Sequence, residues 1–196
     1  MDGEPSDVEV EGDIKLNVTG GQANQEQSGA NNEFRYSHDG NRDTHYHSPW
    51  GANTTWPVIL EYYFDGSKAL DYIIYHSRNG NGNFGQFKLY VATQANENYE
   101  FVSEYDLKGA GGSSRIDLPS RIEGVKFEVL SGSGDGTGNT YASCAEMEFY
   151  LKNTEKSLDA QLLGVFTDLT CSALKEGVSD EDITIREKVV VYNEID

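Results

Sequence analysis

Cysteine is nearly missing from this sequence. Its 196 residues hold two, Cys144 and Cys171, too few for the disulfide framework of a small secreted scaffold. One falls in a strand-like run and the other in a helix-like one, so both are read as buried free thiols. Basic side chains are also scarce: 15 Lys and Arg stand against 33 Asp and Glu, a formal net charge of -18. Such a surface repels phosphate backbones and anionic membranes, which disfavours nucleic acid and membrane adsorption. No run approaches the roughly 18 consecutive apolar residues of a spanning helix. The start, Met1-Asp2-Gly3-Glu4-Pro5, lacks the basic and apolar regions of a signal peptide and is read as a processed or trimmed end. His-Glu-x-x-His, a zinc-type cysteine pair and Gly-x-Ser-x-Gly are missing too, which disfavours a zinc peptidase and a serine hydrolase.

What the sequence does have is alternation. Val58, Leu60, Tyr62 and Phe64 alternate with Ile59, Glu61 and Tyr63. The same period of two runs through Phe87–Val91, Val125–Val129 and Ala145–Leu151. It puts one face of each strand in a core and the other in water. Further strands are expected near 13–19, 72–76, 99–105 and 115–118. Glycine- and asparagine-rich turns separate them at Asp39-Gly40-Asn41, 79–83, 109–114 and 131–139. Many short strands with such turns predict an all-β, antiparallel sandwich or barrel.

Residues 1–12 are acidic, lack an apolar period and are read as a flexible leader. The β pattern occupies 13–153. From 154 to 196 the period changes. Ser157 is placed to cap a helix burying Leu158, Leu162, Val165, Phe166 and Leu169, and Gly177 is placed to stop it. So short a helical extension buries little core alone, and it is read as a linker or the start of a following domain.

The densest chemistry lies in Tyr36–Thr44. Oxygen donors stand at Asp39, Asn41, Asp43 and Thr44 around Gly40. Calcium takes such a mixture of carboxylate, hydroxyl and carbonyl oxygens; an ordinary Asp-Gly turn gives the same pattern. His45 and His47 share a face if the segment is a strand, which leaves a weak surface zinc site as a competing idea.

Asp39-Gly40-Asn41, then Thr44, then His47-Ser48-Pro49-Trp50 resembles the discoidin domains, also called coagulation factor 5/8 type C domains, and within them the family 32 carbohydrate-binding modules. Leu70–Tyr75 with Ser77-Arg78, Gln86–Val91 and Ala145–Tyr150 follow in the same order. The resemblance covers 13–152 and implies a jelly-roll β-sandwich of the galactose-binding-domain type. It implies a structural calcium ion held by the Tyr36 and Asn41 carbonyls, Asp39, Thr44 and Glu146. Such an ion joins an early loop to the last strand and closes a long loop of chain. The resemblance also implies a sugar site at one end of the sandwich. His47 and Trp50 match its His and aromatic, and Arg78 its Arg. Asn83 matches its Asn, with Asn81 as the other choice. Tyr141 matches its late aromatic, with Asn139 beside it. Galactose offers a face of C–H groups for a planar ring and hydroxyls for His and Arg, so the residue types suit the chemistry.

The expected function is therefore a non-catalytic, calcium-stabilised module for galactose- or N-acetylgalactosamine-type glycans, monomeric within a larger extracellular or bacterial cell-surface protein. The alternative is a discoidin-type domain with a protein or other non-sugar ligand. The tail, at Leu162–Cys171 and Gly177–Asp182, resembles the start of the catalytic region in enhancin-like, mucin-directed metallopeptidases of gut bacteria. It implies an attached glycan- or mucin-degrading enzyme.

Overall fold

The computed structural model describes residues 12–51, 54–64, 70–92, 98–118 and 124–152. The expected leader, apart from Gly12, and the expected helical tail with Cys171 lie outside the described residues. Among the described residues eleven strands and one 3-10 turn, Phe34–Ser37, are formed. The strands are β1 (Ile14–Leu16), β2 (Gly20–Ala23), β3 (Tyr46–His47), β4 (Val58–Tyr63), β5 (Tyr72–His76), β6 (Gln86–Ala92), β7 (Glu100–Asp106), β8 (Ser113–Asp117), β9 (Gly124–Val129), β10 (Ser143–Cys144) and β11 (Glu146–Leu151). One sheet has the order β1-β11-β5-β8 and the other β2-β4-β9-β6-β7; β10 and β3 form a separate ribbon. Every pairing between these strands is antiparallel. The fold is antiparallel, as the alternation predicts, and of the two forms left open it is the sandwich, the jelly roll that the resemblance implies.

Alternation produces the core directly. Val58, Leu60 and Tyr62 are fully buried, while Ile59, Glu61 and Tyr63 between them are partly exposed. Phe127 of β9 stands opposite both Leu60 of β4 and Leu89 of β6, which lays an apolar row across the sheet. The sheets meet through aromatic rings, with Tyr62 and Phe149 centred 5.1 Å apart and Phe64 and Phe149 4.6 Å apart. β5 is buried on both faces, which explains its unbroken apolar run. Ile73 and Tyr75 enter the core. On the far face Tyr72 stacks on Tyr150 at 5.0 Å, and the Arg115 guanidinium lies 3.7 Å over the Tyr72 ring. Cys144 is a buried free thiol.

The structure divides the strand expected at 13–19. β1 ends at Leu16 and pairs with β11, whereas Gly20–Ala23 pairs with β4 in the opposite sheet. The chain changes sheets between them. Gly20-Gly21-Gln22-Ala23 has no apolar period, so its strand came from neither propensity nor pattern. It comes from close approach: a Cβ on Gly21 would stand 2.1 Å from the Glu61 carbonyl oxygen, and only glycine fits.

Phe149 contacts both sheets, so Phe149→Ala leaves a cavity at their junction. It is expected to lower stability by about 3–5 kcal/mol, read as a shifted urea midpoint with an unchanged slope.

Candidate functional site

Three loops meet where β3 pairs with β10. Ser143 lies opposite His47 in that ribbon. Ser48 N donates to the Ala142 carbonyl at 2.8 Å, and Ala142 N donates to Ser48 Oγ at 3.1 Å. Gln27 ties the loop after β3 from the other side: its N donates to the His47 carbonyl and its Oε1 accepts from Trp50 N at 2.6 Å. The 79–83 turn docks on the same ribbon, with Ser143 N donating to the Gly82 carbonyl at 2.6 Å. Gly82 has φ of 87°, and a Cβ there would meet Ser143 N at 2.9 Å. The turn can approach only because that residue is glycine.

His47 sits at the centre of this junction, 0% exposed. Its ring is 5.9 Å from Trp50 at an interplanar angle of 80°, and 5.1 Å from Tyr141. Trp50 is 48% exposed, a flat apolar surface open to solvent beside a buried imidazole. His47 Nδ1 is 2.6 Å from the Ser48 carbonyl oxygen. Its Nε2 is buried and meets no partner in hydrogen-bond geometry among the described residues, although the Asn81 side chain stands close enough to raise the ring's affinity for a proton. Arg78 follows β5, half-buried, and no ion pair joins it to a carboxylate among the described residues. Burial lowers its guanidinium's affinity for a proton. Burial, and then the Arg78 charge, hold the His47 imidazole below its ordinary value. The structure thus brings His47, Trp50, Arg78 and Tyr141 to one place.

Asn83 is placed differently. It is buried, its Nδ2 donates to the Gly109 carbonyl and its Oδ1 accepts from Gly80 N. Both ends of its amide brace the turn. Asn81 stands beside the His47 ring instead. Tyr141 is buried, and its hydroxyl is 3.2 Å from Asp135 Oδ2. Hydrogen bonds from Thr137 hold the Asp135 carboxyl down at about 2. His45, to which the sequence gave no sugar role, lies 6.2 Å from His47 ring to ring, and its Nε2 also lacks a partner. The signal was there in the His45-x-His47 spacing. Among the described residues no group of three or more His, Cys, Asp or Glu gathers to hold a metal, so the zinc alternative has only a histidine pair.

The acidic loop forms a second constellation. Asp39 Oδ1 accepts from Asn41 N at 2.9 Å, and Oδ2 accepts from Thr44 Oγ1 at 2.7 Å. Thr44 Oγ1 is also 2.8 Å from the Asn41 carbonyl oxygen. Gly40 N donates to both Glu146 carboxylate oxygens, at 3.1 and 3.2 Å. Tyr36 lies in the 3-10 turn just before this loop. A cleft of about 430 Å³ beside it is lined by Lys15, His38, Asp39 and Glu146, among others. Burial raises the Glu146 carboxyl; Lys15 opposes the rise and Asp39 adds to it. Glu148, two residues on, shifts the other way. Burial would raise it too, but His76 at 2.8 Å and Lys15 at 2.8 Å hold it well below the usual range. Asp39, Asn41, Thr44 and Glu146 therefore present only hard oxygen donors around two mutually repelling carboxylates. That donor set fits a hard divalent cation.

The F5/8 type C domain model matches residues 21–147, and the chain belongs to that family. Its structural neighbours are carbohydrate-binding modules. CpGH89CBM32-5 from Clostridium perfringens, solved in complex with GalNAc-beta-1,3-galactose, is 25% identical with a TM-score of 0.59, over 67% of this chain and 94% of that one. CBM32-3 from a family 31 glycoside hydrolase of Clostridium perfringens is 28% identical with a TM-score of 0.59, over 71% and 95%. The family 32 module of C. perfringens NanJ, in complex with galactose, shares the fold at 21% identity and a TM-score of 0.57, over 70% and 100%. No curated protein matches the chain. No helix among the described residues is long and apolar enough to cross a membrane.

The histidines make stability depend on pH. Burial first, then Arg78 and His47, lower His45 from 6.5 to about 4. Between those values the unfolded chain binds a proton that the folded chain refuses, so stability falls as pH drops below 6.5 and levels off near 4. Urea midpoints are expected to fall between pH 7 and pH 5, and to fall less in His45→Gln.

Proposed function

We propose that this chain is a calcium-stabilised, non-catalytic carbohydrate-binding module that seats a terminal galactose or N-acetylgalactosamine against Trp50, His47 and Arg78. The observation that carries the reading is the pairing of an exposed indole with a buried imidazole and with a guanidinium that meets no carboxylate among the described residues. The indole covers the C–H face of the sugar, where contact replaces poorly hydrated surface. His47 and Arg78 stand at its edge, where an axial 4-hydroxyl projects. Asn81, beside His47, is better placed than Asn83 to meet a neighbouring hydroxyl. Tyr141 supports the seat by packing on His47. The complex of the 25% identical CpGH89CBM32-5 with GalNAc-beta-1,3-galactose supports the same sugar class.

Calcium would be held by the carboxylates of Asp39 and Glu146, the Thr44 hydroxyl, and the main-chain carbonyls of Tyr36 and Asn41. It would supply a cross-link between the 36–44 loop and β11, and relieve the repulsion between the two carboxylates. The module would act outside the cell, as a single copy in a larger protein, and bring an attached glycan- or mucin-degrading enzyme to its substrate. The 28% identical module from a family 31 glycoside hydrolase supports that setting.

Affinity for one sugar is expected in the range of about 0.1 mM to mM, because a few hydrogen bonds and one stacked ring leave only some 4–6 kcal/mol. Trp50→Ala is expected to weaken galactose binding by about tenfold or more, a loss of about 1–2 kcal/mol. Arg78→Ala should weaken it at least as much. Titration calorimetry with galactose, N-acetylgalactosamine and glucose reads both effects and the preference for the axial 4-hydroxyl. Equal binding of glucose would refute the specificity, and unchanged binding in Arg78→Ala would refute the seat.

Calcium is tested by melting in calcium and in chelator. Wild type is expected to melt lower in chelator, whereas Asp39→Ala should melt low in both. Sugar affinity should change little with calcium, because Asp39 and Glu146 stand apart from the seat's residues.

A further inference from the structure

We infer that Gln27 is the positioning residue of the exposed indole: its side-chain amide clamps the Trp50 backbone and fixes the ring before any ligand is present. This rests on the sugar-seat reading above and names a residue outside the seat that presets it. β2 ends at Ala23, opposite Leu60, but the chain after it goes on pairing through side chains. Asn24 N donates to the Ile59 carbonyl at 3.1 Å, while Asn24 Oδ1 accepts from Ile59 N at 2.9 Å. Asn24 Nδ2 donates to the carbonyl of Pro57 at 3.1 Å, a residue with no N–H of its own to pair. Gln25 Nε2 donates to the Thr55 carbonyl at 2.5 Å, and Gln25 Oε1 accepts from Thr55 N at 3.3 Å. Gln27 comes last. Its N donates to the His47 carbonyl at 2.8 Å, and its Oε1 accepts from Trp50 N at 2.6 Å. A side-chain amide carries a donor and an acceptor, as a peptide group does. Asn24, Gln25 and Gln27 thus extend the pairing of β2 to Pro57, Thr55 and Trp50, none of which lies in a strand.

The segment that carries the ring singles out Gln27. His47 N donates to the Asn32 carbonyl at 3.1 Å, and Ser48 N donates to the Ala142 carbonyl at 2.8 Å. Pro49 has no N–H. Trp50 N donates to Gln27 Oε1. Every N–H of His47–Trp50 is therefore tied, and only the last is tied by a side chain. It is the one tie of the segment that a substitution can remove while the backbone pairing stays. The indole has little else to hold it. Nearly half of the residue is exposed, and its one ring contact among the described residues is edge-on to His47. Its direction is set chiefly by its backbone. A ring fixed in advance loses less freedom when a ligand covers it, and affinity gains by that difference. Gln27 acts in this way without touching the ligand.

The full chain tests this with two variants. Gln27→Met keeps the length of the side chain and loses the acceptor, whereas Gln27→Glu keeps an acceptor. Amide hydrogen exchange, read by NMR without sugar, is expected to be several-fold faster at Trp50 in Gln27→Met. It should be unchanged there at Ser48, whose tie is to Ala142, and like wild type at Trp50 in Gln27→Glu. Calorimetry with galactose should then find Gln27→Met weaker by about threefold to tenfold and Gln27→Glu restored, with all three chains melting alike. Unaltered exchange at Trp50 in Gln27→Met would overturn the clamp. Faster exchange with undiminished galactose binding would overturn the positioning role. A Glu variant that behaves like the Met variant would overturn the part of the acceptor, and protection lost at Ser48 as well would reduce Gln27 to a prop of the whole loop. A wild-type chain that binds no galactose overturns the seat itself, and is told apart because the exchange measurement needs no ligand.

Discussion

The segment Ser143–Leu151 holds the rest of the molecule together. Its second part, β11, is hydrogen-bonded to β1 on one side and β5 on the other. It sends Met147 and Phe149 into the core. Its first residue, Glu146, accepts the Gly40 N–H and so anchors the acidic loop 106 positions earlier in sequence. Its first part, β10, pairs with β3 and fixes the backbone on which His47 stands. Both candidate sites are thus secured by nine consecutive residues.

Pattern carried the reading of the sequence where burial is one-sided. β4, β6 and β9 alternate because one face of each meets the opposite sheet, and those strands were legible; β11 also alternates in sequence, but the face expected in water is buried too, at Glu146, Glu148 and Tyr150. β2 was not, since its residues are selected by the space beside Glu61 and not by hydrophobicity. The two-residue strands β3 and β10 are too short to show a period. In the site, Pro49-Trp50-Gly51 marked an exposed ring correctly. The burial of His47 was not legible, because Tyr141 and Ser143, nearly a hundred residues away, create it. Asn81 and Asn83 flank Gly82, whose positive φ reverses the turn, and no period in the sequence marks that the Asn83 amide braces the turn.

Electrostatics in this domain is local. A net charge of -18 belongs to the whole chain, yet near Trp50 stand a guanidinium and two imidazoles whose affinity for a proton is lowered by burial and by that guanidinium. Glu146 and Glu148 lie on the same strand and move in opposite directions. The first is buried with Lys15 at 3.7 Å and the Gly40 N–H to oppose the cost, while the second has His76 and Lys15 within hydrogen-bond reach. Composition bounded the partners, but only geometry separated these two carboxylates.

The antiparallel match of β1 with β11 brings Ile14 opposite Leu151, so any polypeptide joined before or after the sandwich enters and leaves at one edge. That edge lies near Tyr72, the start of β5, whereas Arg78 follows the other end of β5. The two are separated by the length of a five-residue strand, about 15 Å. On the proposed reading, the seat lies at the end of the sandwich away from Ile14 and Leu151.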